Sequence, residues 1–306
     1  MVNSGILGFS LILSPEFGSD EKDMAFIDSA AKHTREAMEK EGLCKAANIY
    51  PVVTTSRSSR SSQWSHLKWR SSGIGIMESL ISSVRMIKRH PDDFLNIRHA
   101  LGQELDVIID GFSNTSIMIM ELLSSRLYQE MLRELGVKIK LVGVCQNGLG
   151  IYHKSGLDIR AVIDIARRGE SVVEYLATEA PAGNGMRLLR SSEILSREAD
   201  ILILAESRGT FLEADYQSLD VSIFIEGLPN AVDDAFYTKL EKNGILAIPA
   251  IVTSGGNTYV SFEEFFHAQV PFADADLKEH VLHAIECNAI SLTRLAIKMW
   301  LASQRQ

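Results

Sequence analysis

The stretch "VIIDGFSNTSIMIME", residues 107–121, carries residue types that can hold a dinucleotide. An apolar run, 107–109, reads as a buried strand. Gly111 follows, then a polar turn, then an apolar segment able to start a helix. A strand, a glycine turn and a helix N-terminus together present backbone amides to a pyrophosphate. The usual spacing is G-x-G-x-x-G. Here only the first glycine is present, and Ser113 and Ser116 stand in the other two places. The second glycine lets backbone approach the pyrophosphate, and the third lets the helix pack closely on the strand. Serine adds bulk at both, although its hydroxyl can hydrogen-bond a phosphate. The candidate cofactor-binding turn is therefore Gly111, Ser113, Asn114, Thr115 and Ser116, in a vacated or altered form.

A second candidate is the stretch "SRSSRSSQWSHLKWR", which interleaves Arg57, Arg60, Lys68 and Arg70 with Trp64 and Trp69. Basic residues beside aromatics can bind a phosphate, a nucleotide or single-stranded nucleic acid. The plainer reading is a solvated loop or one that faces a protein partner. Residues 51–72 read as a long Ser-rich loop, of the kind that is often functional. The formal net charge of −8 argues against nucleic acid as a general partner. Cys44, Cys145 and Cys287 are far apart and odd in number. They lack metal-ligand spacing and are expected as free, buried thiols in a reducing compartment, with no metal site.

The elements that must position these residues follow from apolar periodicity. With 306 residues the chain can build a large core and about two domains. The opening 17 residues have no basic segment before their apolar part, so they read as a buried strand at 6–13 rather than a signal peptide. No segment is long and apolar enough to span a bilayer, and a cytoplasmic location is expected. "SDEKDMAFIDSAAKHTREAMEKEG" reads as a helix capped by Ser19 and stopped by Gly42. A second helix, "GIGIMESLISSVRMIKRHPDD", ends near Pro91. From residue 105 strands and helices alternate. The strand at 107 leads to one helix of about 20 residues ending at Gly136. Apolar strands follow in "VKIKLVGV", "ADILILA", "VSIFIEG" and "ILAIPAIV", with helices between them and two helices closing the chain. Such alternation predicts a doubly wound parallel sheet covered on both faces, an α/β fold of Rossmann type, with ligand bound at the first strand-to-helix turn.

Five segments, in order, resemble the glutamate/leucine/phenylalanine/valine dehydrogenase family. "GILAIPAIVTSGGNTYVSFEEFFH" is similar to the family's G-I-L-x-I-P-D stretch, its Gly-Gly turn and V-S-Y-F-E. "VGVCQNGLGIYHKSGLDIRAV" resembles V-x-V-S-D-x-x-G-x-I-Y-x-x-x-G-L-D, and "IEGLPNAVDDAF" resembles x-E-G-A-N-x-P. "SPEFGSDEKDMAF" looks like A-P-D-V-x-T-x-x-x-x-M-A-W, and "RSSGIG" like A-T-G-x-G. The matches run from residue 14 to about 267 and imply a Rossmann-type cofactor domain using NAD(P). The resemblance places the chain's start just before the A-P-D-V segment. Most of the family's substrate domain, with its substrate and catalytic lysines and its hexamer surface, would then be absent. The expected divisions are 1–72, a remnant of that domain plus the basic loop; 73–270, the Rossmann-like domain; and 271–306, a C-terminal helix packing back.

The resemblance also assigns positions. Glu16 stands in the place of the family's catalytic Asp, one methylene longer; its plainer role is a helix N-terminal acid. Gln146 stands where an acid reads the ribose hydroxyls, and glutamine lacks the carboxylate's strength. The family's P-A-A becomes Leu204, Ala205 and Glu206, and Glu206 could pair with Arg208. E-G-A-N becomes Glu226, Gly227, Leu228 and Pro229, with Asn230 displaced by one. Near the nicotinamide, P-D-x-x-x-N-A-G-G becomes Pro249, Ala250, then Thr253, Ser254, Gly255 and Gly256, without the Asp or the Asn. Fold-bearing residues match, whereas cofactor and substrate contacts mostly do not. The expectation is a dehydrogenase-like pseudoenzyme acting as a binding or interaction module with no cofactor. The alternative is an NAD(P)- or other nucleotide-dependent oxidoreductase of altered chemistry.

Overall fold

The computed structural model describes residues 21–41, 62–179, 185–205, 218–228, 231–232, 234–266 and 275–304. The chain divides into two compact units. One comprises residues 1–71 and 257–283; the other comprises 72–256 and 284–306.

In the first unit, helix α1 spans Glu21–Lys40. The proposed Ser19 cap, the strand at 6–13, Cys44 and Gly42 lie outside the described residues. Helix α2 begins at Ser62 and runs to Arg89, crossing from the first unit into the second. This corrects the reading of 51–72 as a loop from Ser62 onward; residues 51–61 lie outside the described residues. Lys68 and Arg70 lie on a helix, and Lys68 is buried at 5% exposure. Leu67, Ser71 and Ile74 recur at helical spacing and are all buried. Ser71 and Ser83 do not break the helix, because their hydroxyls bond back to its own carbonyls: Ser71 Oγ to Lys68 O at 2.6 Å and Ser83 Oγ to Ser79 O at 2.8 Å.

The second unit is built on a seven-stranded sheet. Its strands are β1 (Glu104–Asp110), β2 (Lys138–Gln146), β3 (Leu149–Tyr152), β4 (Arg187–Arg190), β5 (Ile201–Leu204), β6 (Ile223–Glu226) and β7 (Leu246–Ile248). The order is β4-β3-β2-β1-β5-β6-β7. The five strands from β2 to β7 in that order are parallel, with β1 flanked by β2 and β5, as a Rossmann-type sheet requires. β3 and β4 extend it antiparallel, an addition to the expected all-parallel sheet. The cause is the Asn147-Gly148 turn, where both residues have positive φ (51° and 81°) and close a two-residue hairpin.

The connections are α3 (Asn114–Ser124), α4 (Arg126–Glu134), α5 (Ile159–Arg167), α6 (Val172–Glu179), α7 (Ser191–Leu195) and α8 (Asp234–Lys242). After β7 come α9 (Ala250–Thr253), α10 (Gly255–Phe266) and α11 (Ala275–Ser303), with residues 257–283 belonging to the first unit. The single 20-residue helix expected after β1 is two. Ser125 is extended (φ −72°, ψ 148°); its hydroxyl accepts from Tyr128 N–H and so starts α4 afresh. β7 is also shorter than expected, because Pro249 ends it and opens α9. Ile108, Leu202 and Phe224 pack with Ile194 and Leu195 of α7 and Phe236 and Leu240 of α8. Phe224 and Phe236 meet edge to face at 5.4 Å. Val107 and Ile109 point to the opposite face and are fully buried too, so both faces are covered. Cys145 is buried, whereas Cys287 is exposed, which corrects its expected burial.

Candidate functional site

The C-terminal ends of β1 and β5 meet at the point where successive connections leave the sheet in opposite directions. Gly111, directly after β1, has φ 137°, a conformation that glycine adopts without strain, and its N–H donates to Cys145 O at 3.1 Å. Ser113 is extended and caps α3. Its N–H donates to Ser116 Oγ at 3.3 Å, and its own hydroxyl donates to Ala205 O, across the switch point, at 3.2 Å. Ser116 is fully buried, with its Oγ 3.4 Å from that of Ser113. These are long hydrogen bonds, but together they turn both hydroxyls and one backbone amide toward the protein. Asn114 is exposed and Thr115 half-buried.

Gln146 ends β2, and its Oε1 accepts the N–H of Val172 at 3.1 Å, the first residue of α6. The side chain expected to read the ribose thus caps a helix start. Asp110, buried at the end of β1 beside Gly111, was missed by sequence reasoning. An acid closing an otherwise apolar strand was the available signal.

On the far side of the switch point, Glu226 is a buried carboxylate with a full set of donors. Its Oε1 accepts from the N–H of Ala231 (2.9 Å) and Val232 (3.3 Å). Its Oε2 accepts from Ala250 N–H (2.9 Å) and from the Tyr237 hydroxyl. The Thr253 hydroxyl donates to the Glu226 carbonyl oxygen, and Ser254 Oγ to Ala250 O at 2.6 Å. The segment aligned with the nicotinamide turn is thereby bonded to itself.

The structure brings Gly111, Ser113, Asn114, Thr115, Ser116 and Ala205 together, with Gln146 at the neighbouring strand end. Glu16, Arg57, Arg60, Glu206, Arg208, Pro229 and Asn230 lie outside the described residues. A dinucleotide would need free amides at the α3 N-terminus and room for its pyrophosphate. Gly111 and the helix N-terminus fit that need, but Ser113, with its amide and hydroxyl engaged, and Gln146, engaged by Val172, do not. Among the described residues, no group of three or more His, Cys, Asp or Glu could hold a metal ion. Nor is any helix there long and apolar enough to cross a membrane.

A parallel sheet of this order with a glycine turn at its switch point defines a Rossmann-type α/β protein. The chain belongs to the glutamate/leucine/phenylalanine/valine dehydrogenase family, whose pattern matches residues 103–291, more than half of its length. It is 25% identical over 159 residues to the NADP-specific glutamate dehydrogenase of Saccharolobus shibatae, covering 52% of this chain and 33% of that one. It is 26% identical over 166 residues to the catabolic NAD-specific glutamate dehydrogenase RocG of Bacillus subtilis, covering 53% of this chain and 34% of that one. These matches thus span about a third of each curated relative. The fold is shared with the hetero-hexameric glutamate dehydrogenase of Thermus thermophilus in its Leu-bound form (TM-score 0.62, 19% identity), over 95% of this chain and 58% of that one.

Proposed function

We propose that this protein is a glutamate dehydrogenase-like pseudoenzyme whose switch-point turn has lost dinucleotide affinity and which acts as a binding or interaction module. The observation that carries the reading is the inward engagement of Ser113. Its amide is taken by Ser116 Oγ and its hydroxyl by Ala205 O. A pyrophosphate must displace both and also accommodate a Cβ where backbone should approach it. Gln146, committed to α6, offers the ribose neither a carboxylate nor a free amide oxygen. Each lost charge-assisted hydrogen bond costs roughly 1.5–3 kcal/mol, or about tenfold or more in affinity.

A second reading, an NAD(P)-dependent oxidoreductase of altered chemistry, is favoured by one observation. Gly111 keeps its positive φ, and α3 still directs an N-terminus at the turn. Titration of NADH into wild type and into Ser113→Gly/Ser116→Gly separates the two. Wild-type affinity weaker than about 1 mM, with a gain of about tenfold or more in the double variant, supports the first reading. Micromolar binding by the wild type sinks it and promotes the second.

A further inference from the structure

At the opposite end of the sheet, where the parallel strands begin, lies a cleft of about 590 Å³. Its floor is formed where β1 and β5 start and its wall by β3 and β4, so the antiparallel extension creates it. Three cations line it: Lys154 just beyond β3, Arg187 opening β4, and Arg197 leading into β5. None has an ion-pair partner among the described residues. Arg197 lies over the Tyr152 ring, 4.6 Å from its centroid, which fixes the guanidinium against the wall. Its Nε is shut off from solvent and has no hydrogen-bond acceptor among the described residues.

The acids facing the same cleft are mostly committed. Asp106 pairs with Lys140 Nζ at 2.8 Å. Asp200 accepts the Asp106 N–H at 2.7 Å, and burial raises its carboxyl pKa. His99 shares its Nε2 with Asp220 at 2.8 Å. Glu198 is exposed, so three carboxylates and three cations line the cleft, and the three cations have no ion-pair partner among the described residues. In a chain of net charge −8, a concave site holding three such cations is the feature that suits an anion.

We propose that this cleft binds a small, multiply charged oxyanion, through Arg187, Arg197 and Lys154. The volume suits a molecule of metabolite size. Arg197 supplies a planar donor held in place by Tyr152, Arg187 a second fork, and Lys154 a point charge at the mouth. Phosphate esters and polycarboxylates share this chemistry. The proposal stands independently of the switch-point reading, because the two sites lie at opposite ends of the sheet.

Calorimetric titration with inorganic pyrophosphate and with citrate, at roughly 0.01 M ionic strength where screening is weak, tests it. Saturable one-to-one binding by either is expected, pyrophosphate marking a phosphate site and citrate a carboxylate site. Lys154→Ala/Arg187→Ala, both exposed and outside the core, should weaken it by about tenfold or more. Arg197→Lys, which keeps the charge but loses the planar fork, should weaken it less. Ser113→Gly/Ser116→Gly should leave it unchanged. No saturable binding, or binding that the cleft variants leave intact, overturns the proposal. So does binding that changes only with the serine variant, which would place the anion at α3 instead.

Discussion

Glu78 of α2 is 4% exposed, and its Oε1 accepts the Tyr128 hydroxyl at 3.0 Å. Its Oε2 has no donor among the described residues. Loss of water raises its pKa above the usual 4.5; the nearby Glu286 adds to this, while Tyr128 and Arg85 oppose it. The folded protein therefore holds this proton more tightly than the unfolded chain does. The contribution of Glu78 to stability is therefore full below about pH 4.5 and is lost as pH rises through the raised folded value, because the unfolded state sheds its proton first. Glu78→Gln keeps an acceptor for Tyr128 and removes that slope. It is expected to unfold at higher urea concentration than wild type near about pH 7, with the gain vanishing toward about pH 4. A variant less stable than wild type at neutral pH would mean that the charge itself is needed. Such a site is hard to foresee from sequence. A Glu in an otherwise apolar helix stretch is visible, but its partner, Tyr128, is 50 residues away.

At the scale of elements, α2 is held by close contacts that only glycine permits. A Cβ on Gly75 would sit 2.0 Å from the Thr253 carbonyl oxygen, which belongs to backbone that cannot give. A Cβ on Gly73 would sit 2.7 Å from Met118 Cγ, part of a flexible side chain. Both glycines lie in the "RSSGIG" segment. Gly75→Ala is thus expected to cost about 3 kcal/mol or more and Gly73→Ala nearer 1 kcal/mol, since overpacking is relieved only where a neighbour can move. Urea melts of the two variants rank them, and equal losses would contradict the geometry. The strands around the switch point were legible because buried parallel strands are continuous apolar runs. The division of α3 from α4 was not, because Ser125 carries no breaker signal and its cap depends on Tyr128 N–H. The β2–β3 hairpin carried a strong signal, Asn147-Gly148 between two apolar runs, which the reading by strand and helix alternation did not use. With that hairpin went β4, the wall of the basic cleft, and with it Arg187. Residues 62–72 were obscured by composition: serine favours loops in isolation, yet on this buried helix face Ser71 bonds back to the Lys68 carbonyl.

Across the whole molecule, hydride transfer needs two things at once: a dinucleotide held at the switch point, and polar groups that orient substrate beside the nicotinamide. The first depends on one turn and can be altered by two substitutions. The second depends on positions that this chain uses for its own structure. Ala250 sends its N–H to Glu226, Thr253 its hydroxyl to the Glu226 carbonyl, and Ser254 its hydroxyl to Ala250 O. None of these groups is free to meet a ligand without breaking the buried network around Glu226. We therefore expect that neither wild type nor Ser113→Gly/Ser116→Gly oxidises glutamate with NAD or NADP. The glycine variant should gain dinucleotide binding and still show no turnover, because restored affinity does not restore a reacting geometry. Initial-rate assays at saturating glutamate, run beside the NADH titration on the same preparations, check this. Turnover in wild type, lost on Glu16→Gln, would show an intact proton-transfer site and defeat the pseudoenzyme reading. Turnover appearing only in the glycine variant would confine the loss to the turn, leaving the substrate side competent despite its internal bonding.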